Sequence, residues 1–356
     1  MTVLLAVGTA QKRLCLPYKL SARSRLMTIE RSAAAAAPTT LPSSARRRIF
    51  VYLGVLIVLL AFGSPAGGLI DIPVSFLLKN KLHLQAHEVA TFRLVAAIPL
   101  YLSFVFGFIR DSWNPLGLRD RGFMLLFGAT SALLYALFAA TSLGMSTLLI
   151  AVIALTVSFL FVASAQNGLT AALGQQHAMT GQISALWNIV LSIPTMAALL
   201  AGGLLSDRLE HQAGDEAVRT LFLVGAAIMA TVAVYALWRP REVFDNVHAE
   251  NGERAHPIVD LKRLARHWPI YPALLIWLLW NFAPGSTTPL QYHLQNTLHA
   301  TDAEWGEWNA IFAASFIPTF IIYGVLCRKV ALKKLLWWGT VIAVPQMVPL
   351  LFIHSV

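Results

Sequence analysis

The chain has 356 residues, of which 57% are hydrophobic and only 12% charged, whereas soluble domains carry roughly 25% charged residues. So little charge cannot cover a soluble globule of this size, which excludes a soluble enzyme or binding module and leaves an all-α polytopic membrane protein, with the lipid bilayer as its surroundings. The net charge of +10 would point to nucleic acid in a soluble chain. In a membrane protein it gathers in cytoplasmic loops instead, and no nucleic-acid partner is expected.

Residues 1–48 form a separate region. The stretch Arg31–Arg48, RSAAAAAPTTLPSSARRR, is rich in small residues, Pro and Ser, a composition that cannot bury a core. It reads either as a disordered cytoplasmic tail or as a start placed too early, with Met27 the true first residue. Nine apolar stretches then follow, at about 49–78, 88–110, 122–141, 145–168, 180–205, 219–238, 270–294, 305–327 and 334–353, each near the roughly 20 residues a spanning helix needs. The first is interrupted by Gly63, Pro65, Gly67 and Gly68, a break that neighbouring helices can satisfy inside a bilayer. With the N-terminus inside, Arg46–Arg48, Arg110, Arg119, Arg121, the six basic residues from Arg239 to Arg266, and Arg328, Lys329, Lys333 and Lys334 all fall on the cytoplasmic side. The outer side keeps only Lys79, Lys81, Arg208 and Arg219. This bias predicts a multi-pass protein of the inner or plasma membrane with its N-terminus in the cytoplasm.

The longest interior loop, 239–269, is charged, contains Pro240 and Pro257, and ends in DLKRLARHW (Asp260–Trp268), a short amphipathic helix for the inner surface. It divides a six-helix bundle, 49–238, from a partial bundle, 270–356. This layout resembles the major facilitator superfamily, whose halves are six-helix repeats. The loop GFIRDSWNPLGLRDRG (Gly107–Gly122) resembles the superfamily's signature between its second and third helices. The matching residues are Gly107, Asp111, Arg119 and Arg121. The resemblance implies a gating loop in which Gly107 permits close helix contact. Asp111 would pair with a basic residue across the turn, a contact remade as the halves rock.

Further segments resemble the folate–biopterin transporter family. They are PVSFLLKNKLHL (Pro73–Leu84), AIPLYLSFVFGFIRDS (Ala97–Ser112), LLIWLLWNFAPGSTTPLQYHLQNTLH (Leu274–His299), EWGEWNAIFAASFIPTFIIYGVL and RKVALKKLLWWGT. The chain departs from that pattern at SFVFG, which lacks a Lys-Pro pair, and at Arg110, where Ser is usual. It departs again at Gln166 and Asn167, where the fourth helix usually has an acid. Only three spans follow the linker, and twelve spans with loops need close to 400 residues. The expected fold is therefore superfamily-like with an incomplete, three-helix C-terminal half.

Asp71 and Arg93 are the clearly intramembrane charges, and such groups mark pathways by default. Both lie near the outer ends of adjacent antiparallel spans, so they either form an ion pair, with Asp71 also titrating, or snorkel separately to the headgroups. Gln166 and Asn167 on the fourth span, Gln182 and Asn188 on the fifth, and Trp280, Asn281, Ser286, Thr287, Gln291 and Tyr292 on the seventh can hold a small polar or flat heteroaromatic solute. They serve equally well as interhelical hydrogen-bonding groups. Asn281 and Tyr292 stand out because Pro284 and Pro289 break the helix beside them. Glu304 and Glu307 suit the start of the eighth span as helix-dipole partners. The small-residue run AALLAGGLLSD suits close helix packing, and Trp337 with Trp338 suits an interfacial belt.

No catalytic constellation is present, so no enzyme is expected. No Gly-rich phosphate loop occurs, which argues against direct drive by ATP. His83 and His87 lack a third ligand, the two cysteines, Cys15 and Cys327, lie far apart in the sequence, and neither a metal nor a cofactor is expected. The reading is a secondary active transporter of a small polar organic solute, folate- or pterin-like by resemblance, working by alternating access with proton coupling. The rival is a truncated, transport-incompetent chain. If the natural chain is this short, a partner must supply the missing helices.

Overall fold

The computed structural model describes residues 42–177, 180–244 and 287–329, with a few positions between 265 and 341. Every regular element among the described residues is helical. The first span is two helices, α1 (Ser43–Gly63) and α2 (Gly68–Phe76), the second running on through a π-turn at Leu77–Lys81. The break falls on the Gly63–Gly68 segment, as its glycines and Pro65 require. α1 starts earlier than composition suggests. Residues 43–48, assigned above to the tail, are helical, because the Pro42 carbonyl accepts the Arg46 amide at 3.1 Å and SSARRR contains no helix breaker.

The second span is three pieces: α3 (Ala86–Ala96), α4 (Ile98–Tyr101) and α5 (Ser103–Ser112). Pro99 sits in the first turn of α4, where its missing N–H interrupts the ladder. Four long helices follow: α6 (Asp120–Phe138), α7 (Met145–Gln176), α8 (Thr180–Glu210) and α9 (Gly214–Tyr235). α7 runs well past the expected end at residue 168, since TAALGQQ continues with good helix formers. The expected loop at 170–180 shrinks to residues 177–179. A short α10 (Arg241–Phe244) opens the linker. α11 (Thr287–Leu298) and α12 (Asp302–Lys329) belong to the seventh and eighth spans. Most of the linker's amphipathic stretch, the start of the seventh span and the ninth span lie outside the described residues.

Five described segments are long and apolar enough to cross a membrane: Ser43–Lys81 taken as one, Asp120–Phe138, Met145–Gln176, Val190–Glu210 and Gly214–Tyr235. The main core joins α1, α2, α3, α6, α7 and α9. Against it packs an aromatic stack in which the rings of Phe127 and Phe161 lie 4.1 Å apart, beside the buried Phe123.

The small residues of α8 decide where the C-terminal helices sit. A Cβ on Gly203 would lie 2.8 Å from the Cα of Gly306, and one on Gly306 would lie 2.7 Å from that of Gly203. A Cβ on Gly202 would lie 2.0 Å from the Gly68 carbonyl oxygen. The two glycines thus let α8 touch α12 on one side and α2 on the other, backbone to backbone. α8 makes its most extensive packing contact with α12. A second apolar cluster, Ile72, Phe76, Leu294, Ala300 and Trp305, fills the space among α2, α11 and α12.

Candidate functional site

The broken first span brings Asp71 and Ser75 onto one face of α2, opposite Arg93 near the end of α3. The Arg93 guanidinium donates to Asp71 Oδ2 at 3.3 Å, to the Ser75 hydroxyl, and to Thr288 Oγ1 at 3.2 Å. Asp71 and Arg93 are therefore joined, and Arg93 also reaches across to α11. Thr288, fully buried, is a partner that sequence reasoning missed: a Thr in an apolar span carries no charge to mark it.

A second polar chain lies toward the loop ends of the same helices. Lys79 Nζ donates to Gln295 Oε1 at 2.5 Å. Gln295 Nε2 donates to Asp302 Oδ1 at 3.0 Å, and Ser206 Oγ donates to Asp302 Oδ2 at 2.7 Å. Beside it, Lys81 donates to the Glu210 carbonyl at 2.6 Å and Asn80 to its carboxylate at 3.3 Å. Asp302 is only 3% exposed. Of the three acids at this helix start, the sequence singles out Glu304 and Glu307 as helix-dipole partners. Glu304 is occupied by a capping box, accepting from the Thr301 amide at 2.7 Å while its own amide donates to Thr301 Oγ1 at 3.2 Å. That motif, T-D-A-E, was the available signal that Glu304 is local and Asp302 is not.

The candidate solute contacts divide. Gln166 and Gln291 are buried. The Gln166 amide nitrogen and both polar atoms of the Gln291 amide have no hydrogen-bond partner among the described residues. Buried amides are ordinarily satisfied, and these two stand out for lacking described partners. Asn167 is exposed. Tyr292 is committed elsewhere: its hydroxyl donates to the Leu84 carbonyl at 2.5 Å, and Lys79 lies 5.1 Å over its ring. Trp280, Asn281 and Ser286 lie outside the described residues, as do the side chains of Gln182, Asn188 and Thr287.

The signature loop differs from its expected working. Among the described residues nothing lies within 4 Å of a Cβ placed on Gly107, so it makes no close helix contact with them. The close approach is made by Gly122, where a Cβ would lie 2.1 Å from the Pro115 carbonyl oxygen. Asp111 pairs with its own neighbour, Arg110, at 2.9 Å, while the Arg121 side chain turns away from it. Arg121 donates to the Ala236 and Leu237 carbonyls, both at 2.8 Å, capping α9. The Arg119 amide, at a φ of 50°, donates to Asn114 Oδ1 at 2.6 Å.

The strong pair is Arg110 with Asp120, a bidentate contact at 2.5 and 2.9 Å. The guanidinium lies over Gly168 of α7, where a Cβ would sit 1.8 Å from its central carbon. Arg110 is one of the sequence's departures from the resembled pattern, and its partners Asp120 and Gly168 were not foreseen. Among the described residues no group of three or more His, Cys, Asp or Glu could hold a metal ion.

Comparison with known proteins agrees with this architecture. The chain matches the family model of the Major Facilitator Superfamily over residues 176–356, just over half its length. A folate-biopterin transporter of Synechocystis sp. is 24% identical over 288 residues, which cover 78% of this chain and 55% of that protein. The chain thus spans about half the length of that relative. No solved structure matches. The chain belongs to the major facilitator superfamily, a family of multi-pass membrane transporters.

Proposed function

We propose that the chain carries a small polar organic solute across the cell membrane by alternating access. The N-terminal bundle, 49–238, and the helices after the linker, 270–356, are the two moving parts. One observation carries this reading. The polar contacts from the N-terminal helices to α11 and α12 gather at one end: Arg93 to Thr288, Lys79 to Gln295 and Ser206 to Asp302. They sit beside the glycine contact of α8 with α12. A bundle fastened at one end by contacts that can be remade is what alternating access requires. The positive-inside bias makes that end the outer one and leaves the N-terminus in the cytoplasm.

Gln166 and Gln291 supply unpaired amide donors and acceptors for the solute, with Trp280, Asn281 and Asn188 as further contacts. The name of the Synechocystis relative favours a folate- or pterin-like molecule. The Asp71–Arg93 pair is the candidate for coupling to protons. No ATP or other cofactor enters the scheme.

The test uses the full chain in proteoliposomes with radiolabelled folic acid. The expected result is saturable uptake driven by an inward proton gradient, lost in Gln291→Leu and Asn281→Ala while both variants remain monodisperse. Loss of proton dependence in Asp71→Asn would support its coupling role. Binding without uptake would leave the transport-incompetent reading standing, and neither binding nor uptake would reject folic acid as the solute.

A further inference from the structure

We infer that Asp302 is a proton-operated latch: its carboxyl, shared between Ser206 of α8 and Gln295 of α11, holds the outer ends of the two parts together when protonated and releases them when ionised. The inference rests on the alternating-access reading and adds to it the group that senses pH.

The geometry carries the argument. Asp302 is almost wholly buried, at the first position of α12 where the two parts meet. Its two oxygens bond to different helices, at 2.7 Å to Ser206 and 3.0 Å to Gln295. Among the described residues, charged groups from two elements bear on it. From α8 come Asp207 and Glu210, both acidic. From the end of the first span come Lys79 and Lys81. Lys79 donates to Gln295 and Lys81 to the Glu210 carbonyl, and among the described residues no cation forms an ion pair with Asp302. A buried carboxylate without a direct counter-ion, beside two other acids, is costly as an anion.

Burial first, then Glu210 and Asp207, outweigh the Ser206 hydrogen bond and the pull of Lys79, and push the carboxyl up to about 7. A small cavity of about 10 Å³ lies against Asp302, lined also by Asn80, Lys81, Ser206 and Glu210. It is close to the least volume that holds one water.

The sign follows from linkage. With the ends apart, Asp302 meets water and titrates near the ordinary carboxylate value of about 3.9; with the ends together it titrates near 7. The closed form therefore binds more protons between these values, and acid favours closure. Each unit of pH across that window shifts the ratio of closed to open by up to about tenfold. Below the window the bias is complete, and above about pH 7 it is absent.

The experiment places spin labels at Arg208→Cys and Glu307→Cys, exposed positions on α8 and α12, in the full chain with Cys15 and Cys327 replaced by Ala. Distances are measured by double electron–electron resonance in lipid between pH 5 and 9. The short-distance fraction is expected to rise as pH falls through the window. In Asp302→Asn it should stay high and flat across the range, because the amide imitates the neutral carboxyl. Asp302→Glu should keep a pH response. Ser206→Ala removes a bond that favours the anion, so its transition should move to higher pH, a displacement that a merely structural role would not produce. An unchanging distance distribution in the parent chain, or an Asp302→Asn profile that still follows pH, would overturn the latch. Uptake that persists alongside pH-invariant distances sinks the latch alone, and pH-responsive distances without uptake sink the transport reading alone.

Discussion

Replacing Arg110 by Met should be among the most damaging single changes in the N-terminal bundle. Its guanidinium makes two hydrogen bonds to Asp120, at 2.5 and 2.9 Å, and Asp120 is only 3% exposed. Removing one member of a buried, bidentate pair takes away the strongest described contact of the other, at a cost of up to about 3–5 kcal/mol. Asp111 gives the contrast. It also pairs with Arg110, at 2.9 Å, but its side chain is 51% exposed, and exposed pairs are worth about 0–1 kcal/mol. Arg110→Met should therefore lose several kcal/mol and Asp111→Asn almost nothing, read as the midpoint shift in denaturant titration of the protein in mixed micelles. Asp120→Asn combined with Arg110→Met should cost less than the sum of the two single changes, since both act on the same contact. Were Asp111→Asn to cost as much as Arg110→Met, the reasoning from burial would be wrong and the weight would return to Asp111.

Two other perturbations separate packing from function. Gln291→Leu removes two buried polar atoms that have no described partner, so it should leave stability unchanged or raise it by about 1–3 kcal/mol while abolishing solute binding; a loss of stability with binding intact would show that the amide is structural. Gly203→Leu drives a side chain into the Cα of Gly306, already within 2.8 Å of a single added Cβ. Overpacking of about 1–3 kcal/mol should populate the form with α8 and α12 apart, read as faster thiol labelling of a cysteine placed at Leu199, and unchanged labelling would refute it.

The spans with strong apolar runs were legible from composition and period, and so was the break in the first. Bilayer thickness sets span length, and glycine and proline punctuate the ladder wherever they stand. Charge was legible too: Asp71 and Arg93 attract notice because an intramembrane charge is costly anywhere. Neutral partners were not. Thr288, Ser206 and Gln295 look like any polar residue in a span, and only the packing of α11 and α12 gives them their neighbours. Asp120 was hidden by the motif around it. The pattern draws the eye to Asp111, yet which of two acids in a loop is buried depends on where α7 presents Gly168. Gly107 and Gly122 divide on the same ground: a motif names a residue type, while the approach of a second backbone decides which glycine is needed.

The two ends of the bundle use different chemistry, and the difference bears on motion. At the loop end of α5, Arg110 clamps Asp120 and covers Gly168, while Arg121 ties α6 to the carbonyls that end α9. All these partners lie within the N-terminal bundle, and the Arg110–Asp120 pair is the strong, bidentate kind. At the opposite end the hydrogen bonds that leave this bundle among the described residues fall on hydroxyls, amides and a single carboxyl: Thr288, Tyr292, Gln295 and Asp302. Neutral hydrogen bonds are each worth about 0.5–1.5 kcal/mol net, and those to a charged group about 1.5–3 kcal/mol. Each can be exchanged singly for a bond to water or to another side chain, at a cost within the few kcal/mol that separate two populated conformations. The internal braces are too strong to break on that scale. The N-terminal bundle should therefore move as one body, and the contacts that yield should be those through Thr288, Tyr292, Gln295 and Asp302.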